Sequence, residues 1–412
     1  MAALVGVDTG GTFTDLVLFQ DGRLTLAKVP TTRPSPAPGV LRGLEKLGPD
    51  PGFEMALGTT VGTNAFLERR GATTALIATA GFADVLELGR GTRSDLYALV
   101  PRKPSPLVPS DRCYEARERV SGQGQVLEPL RREDELARKV AASGAESVAV
   151  CLLFSFLHPE HEERLGKLLA AHGLRVSLSS RVCPEIREFE RASTTVLNAY
   201  LAPVLGSYLE ELERSLRERG GRRFFVVHSG GAVMSAVEAA ETAVAAVLSG
   251  PAAGVHGAFE VACAAGHTRI LTLDMGGTST DVSLCPGEIQ YTSEGALDGL
   301  PVRQLMIDVH TVGAGGGSLA RLDAGGALCV GPESAGSVPG PAAYGRGEQP
   351  TVTDALVVLG RLPRELAGGE VRLDQARAVA AVSTLGPPEE LAEGILRVTE
   401  AHMERALRVI SL

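Results

Sequence analysis

Residues 6–19 read GVDTGGTFTDLVLF, and residues 273–284 read LDMGGTSTDVSL. Both contain Asp-x-Gly-Gly-Thr-x-Thr-Asp, and the two copies agree at six of eight positions. Short apolar runs flank each copy: ALVGV (3–7) and LVLF (16–19) around the first, RILTL (269–273) and VSL around the second. A run, a Gly-Gly turn and a second run predict a β-hairpin at each site. Glycines there allow positive φ and let backbone N–H groups approach an anion. Thr12 and Thr278 add hydroxyl donors. Asp8 and Asp274 end the leading strands, where a carboxylate holds Mg²⁺ through water. Asp15 and Asp281 are placed to anchor each turn through its N–H groups. One such turn alone is a common Gly- and Thr-rich hairpin. Two matching copies predict two similar domains, each lending a hairpin to the phosphates of one nucleotide. The candidate contacts are Gly10, Gly11, Thr12, Thr14 and Asp15, and Gly276, Gly277, Thr278, Ser279 and Asp281. Neither a Walker A loop nor the G-x-G-x-x-G spacing of a dinucleotide fold is written at either copy.

The bounds agree. At 412 residues the chain exceeds one ordinary core, so two domains are expected. Apolar residues at 44% and charged residues at 22% describe a globular chain. A net charge of −9 without a basic run argues against a nucleic-acid partner. Cys113, Cys151, Cys183, Cys263, Cys285 and Cys329 form no C-x-x-C pair, which reads as reduced thiols in a cytoplasmic protein. No signal-peptide pattern and no run long enough to span a membrane is present, so no membrane partner is expected.

TTALIAT and SVAVCLLFS read as buried strands. PSPAPGVLRGLEKLG, LRREDELARKVAASG and HPEHEERLGKLLAAHG read as helices with proline near the start or glycine at the end. RKPSPLVPSDRCYEARERVSGQGQVLEPL (102–130), rich in Pro, Gly and charge, reads as a surface excursion with short strands. ERASTTVLNAYLAPVLGSYLEELERSLRERGG predicts a long amphipathic helix joining a domain at 1–185 to one at 186–412. RRFFVVHSGGAVMS predicts a strand and a Gly turn, and SAVEAAETAVAAVLSG a helix ending at Gly250.

Other candidates have two readings each. His310 precedes a five-residue loop with four glycines. His310 and Asp308 fit a place beside the reacting phosphate or substrate, with Gly315, Gly316 and Gly317 as backbone donors; the alternative is a core histidine before a flexible turn. Thr59, Thr60 and Asn64 fit substrate or phosphate contacts, or a helix N-cap. Arg187, Glu188 and Arg191 fit catalysis, or ion pairs on a helix face, which is preferred. His158 and His161 suggest a metal pair, but solvated surface histidines are preferred.

The duplicated hairpins resemble the phosphate-1 and phosphate-2 motifs of the actin, sugar-kinase and heat-shock-70 ATPase superfold. Within it the chain resembles the A subunit of ATP-dependent hydantoinases and 5-oxoprolinases, which is similar to the ATP-binding subunit of acetone and acetophenone carboxylases. The likeness extends to residues 58–90, 183–204, 248–258, 309–323 and 330–362. It implies an α/β fold of duplicated actin-like (ribonuclease H-like) domains facing across a nucleotide cleft. It implies ATP and Mg²⁺ as cofactors, Asp8, Asp274 and His310 as catalytic residues, and Thr59, Thr60, Asn64 and Asp308 toward substrate. The implied substrate is a small cyclic amide of the hydantoin or 5-oxoproline type. A ketone is the alternative, and a non-enzymatic reactivase a further one. A B-type subunit is the implied partner, within an oligomer. The family's Gly-rich adenosine loop follows a helix similar to TEAHMERALRVISL. That loop is not written in residues 1–412, and three expectations stay open: a split gene with the rest of the second domain on a separate polypeptide, a truncated product, or a shortened relative of altered function; the isolated chain is expected to bind ATP weakly.

Overall fold

The computed structural model describes residues 2–92, 97, 99 and 106–411. Strands β1 (Leu4–Thr9), β2 (Phe13–Gln20) and β3 (Arg23–Pro30) form an antiparallel meander. Helix α1 (Ala37–Leu47) leads to β4 (Glu54–Thr59), parallel to β1, and α2 (Val61–Leu67) follows. β1 alternates exposed and buried residues, as a strand with one covered face must.

The chain then builds a second sheet from β5 (Thr74–Thr79), β6 (Cys113–Val120), β7 (Val126–Arg131), β8 (Ser147–Cys151) and β9 (Arg175–Leu178). Its order is β7-β6-β5-β8-β9. The helices of this region are α3 (Val85–Leu88), α4 (Glu133–Ala141), α5 (Glu160–Ala171) and α6 (Ser179–Val182). β5 and β8 are buried at every position, which suits central parallel strands covered on both faces. The segment read as a surface excursion therefore supplies β6, an interior strand beside β5; its residues 102–105 lie outside the described residues. Glu115, Arg117 and Arg119 occupy the outward positions of an alternating strand while Glu118 points inward, a pattern that composition alone does not separate from a loop.

Helix α7 (Glu188–Glu218) returns beneath the first sheet. Its Leu197, Leu201, Leu205, Leu209 and Leu212 share one core with Val5, Val7, Leu16 and Leu57. β10 (Arg223–Val227) and β11 (Val233–Ser235) then complete the first sheet in the order β11-β10-β4-β1-β2-β3. The sheet of the first hairpin thus includes strands from beyond the 185/186 division read in the sequence. The continuous helix predicted to end at Gly250 is interrupted. α8 (Ala236–Glu241) opens with a capping box at Ser235 and ends before Thr242, and α9 (Ser249–Ala264) starts anew.

The remainder carries the second hairpin, β12 (Arg269–Met275) and β13 (Thr280–Pro286), then β14 (Tyr291–Leu297), β15 (Leu300–Ile307) and β16 (His310–Val312). β17 (Ser318–Leu322), β18 (Leu328–Ser334), α10 (Val352–Val358), α11 (Gln375–Ser383) and α12 (Pro388–Ser411) follow. Among the described residues no helix is long and apolar enough to cross a membrane.

Two preferred readings are corrected here. Arg191 is not ion-paired on a helix face. It is buried, donates to Ser155 Oγ at 2.9 Å and to the Leu152 carbonyl, and lies over the Phe156 ring. His161 is not a surface histidine: it is buried, with Nδ1 2.9 Å from Glu118 Oε2. Both sit on the inward face of their helices, where polar partners from β6 and from the turn after β8 compensate burial.

Candidate phosphate-binding site

The two copies of the repeated phrase fold alike. In the first, Asp8 stands opposite Asp15, Thr9 opposite Thr14, and the Gly10 N–H donates to the Phe13 carbonyl at 3.0 Å. In the second, Asp274 stands opposite Asp281, Met275 opposite Thr280, and the Gly276 N–H donates to the Ser279 carbonyl at 2.9 Å. The tips face each other: a Cβ on Gly277 would lie 2.8 Å from Thr12 Oγ1. None of Gly10, Gly11, Gly276 and Gly277 has positive φ, so the expectation of left-handed backbone is corrected. Space between the tips is what excludes a side chain at Gly277. The N–H groups of Gly11, Thr12, Gly277 and Thr278 donate to no acceptor among the described residues. Two sets of unengaged donors on facing turns are suited to anionic oxygens.

The second threonine of each phrase has another task. Thr14 Oγ1 lies 2.9 Å from Thr31 Oγ1, whose hydroxyl donates to the Gly10 carbonyl at 2.9 Å. Thr280 Oγ1 donates to the Ala314 carbonyl at 2.5 Å. Both threonines are fully buried and brace the hairpin from below, which removes Thr14 from the ligand contacts. The trailing carboxylates also depart from expectation. Asp15 pairs with Lys28 at 2.7 Å, and Asp281 accepts from Thr311 Oγ1 at 2.6 Å. Carboxylate side chains at paired strand positions point along the sheet normal, away from the turn amides.

Asp8 is the electrostatic centre. Loss of bulk water within the cleft, then Asp15, Asp274 and Asp281, push its carboxyl up to about 6 against the opposing Lys28. Burial pushes Asp281 up too, against its Thr311 hydrogen bond, and Asp274 adds to the rise. Helix α9 begins against this group: a Cβ on Gly250 would lie 2.9 Å from Asp8 Oδ1. Ser249 Oγ bonds both the N–H and the carbonyl of Thr59 at 3.1 Å, fixing the helix start at the end of β4. The helix N-terminus brings partial positive charge to the same place. The sequence PAAGVHGAFEVACAAG (251–266) reads as a Gly-Ala helix able to pack close to a sheet, and α9 bears that out; its start against Asp8 is what the sequence did not show. Pro251 lies within the first turn of that helix, where its missing N–H costs no hydrogen bond.

Thr60 and Asn64 do flank the first tip. Thr60 Oγ1 donates to the Thr9 carbonyl at 2.9 Å, and Asn64 Nδ2 lies 3.8 Å from where a Gly11 Cβ would stand. Thr60 occupies the N-cap position of α2 but makes no side-chain cap bond. Buried Thr59 instead accepts from the Val61 N–H at 3.2 Å.

The glycine loop is not a donor set for a ligand. The Gly315 N–H goes to Ser318 Oγ at 2.9 Å, Gly316 to the Gly276 carbonyl at 3.0 Å, and Gly317 to the Gly277 carbonyl at 2.7 Å. It buttresses the second hairpin, so closely that a Gly315 Cβ would meet the Thr278 backbone at 2.7 Å. His310 is exposed, neither in the core nor beside the carboxylates. It pairs with Val282, on the sheet face opposite the one shared by Asp274, Asp281 and Thr311. Asp308 is held by its backbone to Gln290 and Ser283.

The donor set near Asp8 and Asp274 is all oxygen, which suits a hard cation. Among the described residues no group of three or more His, Cys, Asp or Glu side chains forms a metal cage. A cation here would be held by one or two carboxylates together with phosphate oxygens and water, the usual arrangement for Mg²⁺.

Residues 4–173 match the hydantoinase/oxoprolinase N-terminal region, and residues 191–412 match hydantoinase/oxoprolinase. The chain is 36% identical to caprolactamase subunit alpha of Pseudomonas jessenii, covering 99% of this chain and 62% of that one. It is 35% identical to the acetophenone carboxylase gamma subunit of Aromatoleum aromaticum, covering 92% and 56%. A nucleotide-free acetone carboxylase structure superposes with a TM-score of 0.85 at 30% identity, covering 99% and 62%. The chain therefore spans about three-fifths of the length of these relatives.

Proposed function

The chain belongs to the hydantoinase/oxoprolinase family, and we propose that it is the ATP-binding part of an enzyme that activates a cyclic amide by phosphoryl transfer. The fold is α/β of the actin-like ATPase type. The observation that carries the reading is the pair of facing hairpin tips, each with unengaged N–H donors, closing over Asp8.

In this reading Gly11 and Thr12 on one side, and Gly277 and Thr278 on the other, hold the β- and γ-phosphate oxygens of ATP. The α9 N-terminus adds positive potential from behind. Asp8 and Asp274 hold Mg²⁺, which supplies neutralisation of phosphate charge when bound. The substrate amide oxygen attacks the γ-phosphorus, the bond to the β-phosphate oxygen breaks, and ADP leaves. The product is an imidate-like phosphate ester whose carbon accepts water far more readily than an amide does. Water addition, ring C–N cleavage and loss of inorganic phosphate complete the opening, on a B-type partner subunit. Catalysis of such a transfer rests on positioning and charge stabilisation. The site faces the cytoplasm in this proposal.

The likeness to two ketone carboxylases favours a second reading, in which the attacking oxygen is that of an enolate. The test is ATP turnover with Mg²⁺ on the chain alone and with a B-type subunit, offering hydantoin, 5-oxoproline, caprolactam, acetone and acetophenone in turn. Turnover stimulated by one cyclic amide supports the proposal. Stimulation by a ketone alone moves it to the second reading. Turnover that ignores every small molecule and follows only a protein partner overturns both.

A further inference from the structure

Asp8, Asp15 and Lys28 form one row across β1, β2 and β3. The rows on either side turn into the core: Val7 and Leu16 with Ala27, and Thr9 and Thr14 with Val29. The row between them therefore projects from the opposite face, where α9 meets Asp8. Lys28 Nζ bonds Asp15 Oδ1 at 2.8 Å and Oδ2 at 2.7 Å, and lies 5.1 Å from the centroid of the Phe13 ring. Phe13 follows Thr12, and its carbonyl accepts from the Gly10 N–H, so the ammonium leans along β2 toward the first hairpin tip. The pair is open to water, with 43% of the Lys28 side chain and 48% of the Asp15 side chain exposed. An ion pair in that setting is worth little and exchanges readily.

The phosphate site itself is short of positive charge. The carboxylates of Asp8, Asp15, Asp274 and Asp281 act on one another there, and a bound nucleotide adds more negative charge. Among the strongest charges acting on Asp8, Lys28 is the one of opposite sign. The backbone N–H groups of the tips carry only partial charge, and phosphoryl transfer is stabilised by full cations at the moving oxygens. We propose that Lys28 is a phosphate-binding residue whose ammonium leaves Asp15 for a terminal phosphate oxygen of the bound nucleotide. Its flexible four-carbon stem makes that exchange a change of rotamer, with the strand in place. Asp15 is then the resting partner, which holds the ammonium beside the tip and competes with the nucleotide for it. The inference rests on the phosphoryl-transfer reading of the site, and it names a residue that lies outside both repeated phrases.

The test is isothermal titration of the intact chain with Mg-ATP and with magnesium tripolyphosphate, which has no adenosine. Wild type, Lys28→Met, Asp15→Asn and the double variant are compared, each checked by thermal melting. Lys28→Met should weaken both ligands at least about tenfold. Asp15→Asn should tighten both at least about threefold, and that gain should vanish when Lys28→Met is also present. Three outcomes overturn the assignment. One is unchanged affinity in Lys28→Met. Another is equal weakening in the two single variants, which makes the ion pair a brace of the sheet. The third is a gain from Asp15→Asn that persists without Lys28, which is repulsion between charges alone. Should Lys28→Met melt early, the gain in Asp15→Asn, where Lys28 is intact, still decides. Wild type that binds neither ligand overturns the reading of the site and this assignment with it. Wild type that binds both while the variants bind alike overturns the assignment only.

Discussion

At the scale of single residues, Asp8 joins fold and chemistry. Its carboxyl lies at about 6 where an unfolded chain has 3.8, so the folded state holds more protons between those values. Stability from this group therefore falls as pH rises through that window and is restored on acidification. Asp8→Asn removes the effect: the melting temperature at pH 7 should hold or rise, and its slope between pH 4 and 6 should flatten. The same variant should lose Mg²⁺-dependent nucleotide affinity, and wild-type affinity should weaken below about pH 6 as protons compete for the carboxylate. Calorimetric melts across pH, with isothermal titration of Mg-ATP, check both halves. Unchanged nucleotide affinity in Asp8→Asn would remove Asp8 from the proposed site. Gly277 is legible in the sequence as part of a repeated phrase, but the reason for it is not. The neighbour that excludes a Cβ is Thr12, 265 positions earlier, a contact no local pattern encodes.

At the scale of elements, the strands around both hairpins follow from apolar runs and glycine turns. Helices α1, α4, α5 and α7 follow from amphipathic spacing with proline or glycine punctuation. What escaped was polar. Glu162, fully buried on α5, accepts from the Leu152 N–H at 2.9 Å, Ser179 Oγ at 2.6 Å and the Ser180 N–H at 2.8 Å. Through Ser179 and Ser155 this cluster reaches Arg191 of α7. In the sequence Glu162 is one acid in a charged helical turn, and nothing marks it as inward. Glu162→Ala removes the acceptor of three hydrogen bonds, the Leu152 N–H among them buried, and should destabilise the chain by roughly 2–3 kcal/mol. Glu162→Gln, which keeps a carbonyl acceptor, should lose less. Urea unfolding of the two variants measures the difference, and equal, small losses would mean that water replaces the carboxylate.

At the scale of the molecule, the two hairpins are 266 residues apart in sequence and touch at their tips. Mg-ATP should therefore slow amide exchange in residues 10–14 and 276–280 together. Protection confined to one hairpin would mean that the tips do not share a ligand. The repeated phrase, its strand–turn–strand form and the family likeness were all written in the chain, because they depend on local periodicity and on residue types that few backbones tolerate. The tertiary structure alone decided which repeated residues face a ligand. Thr14 and Thr280 turn inward as braces, Gly315–Gly317 give their N–H groups to the hairpin behind them, and His310 falls on the other face of its sheet. It also decided that α9 opens at Asp8 and that strands from residues 223–235 join the first sheet. Local spacing fixes an element and its faces. The partner each face meets is set by packing between segments hundreds of residues apart, and that packing determines which groups are left free for chemistry.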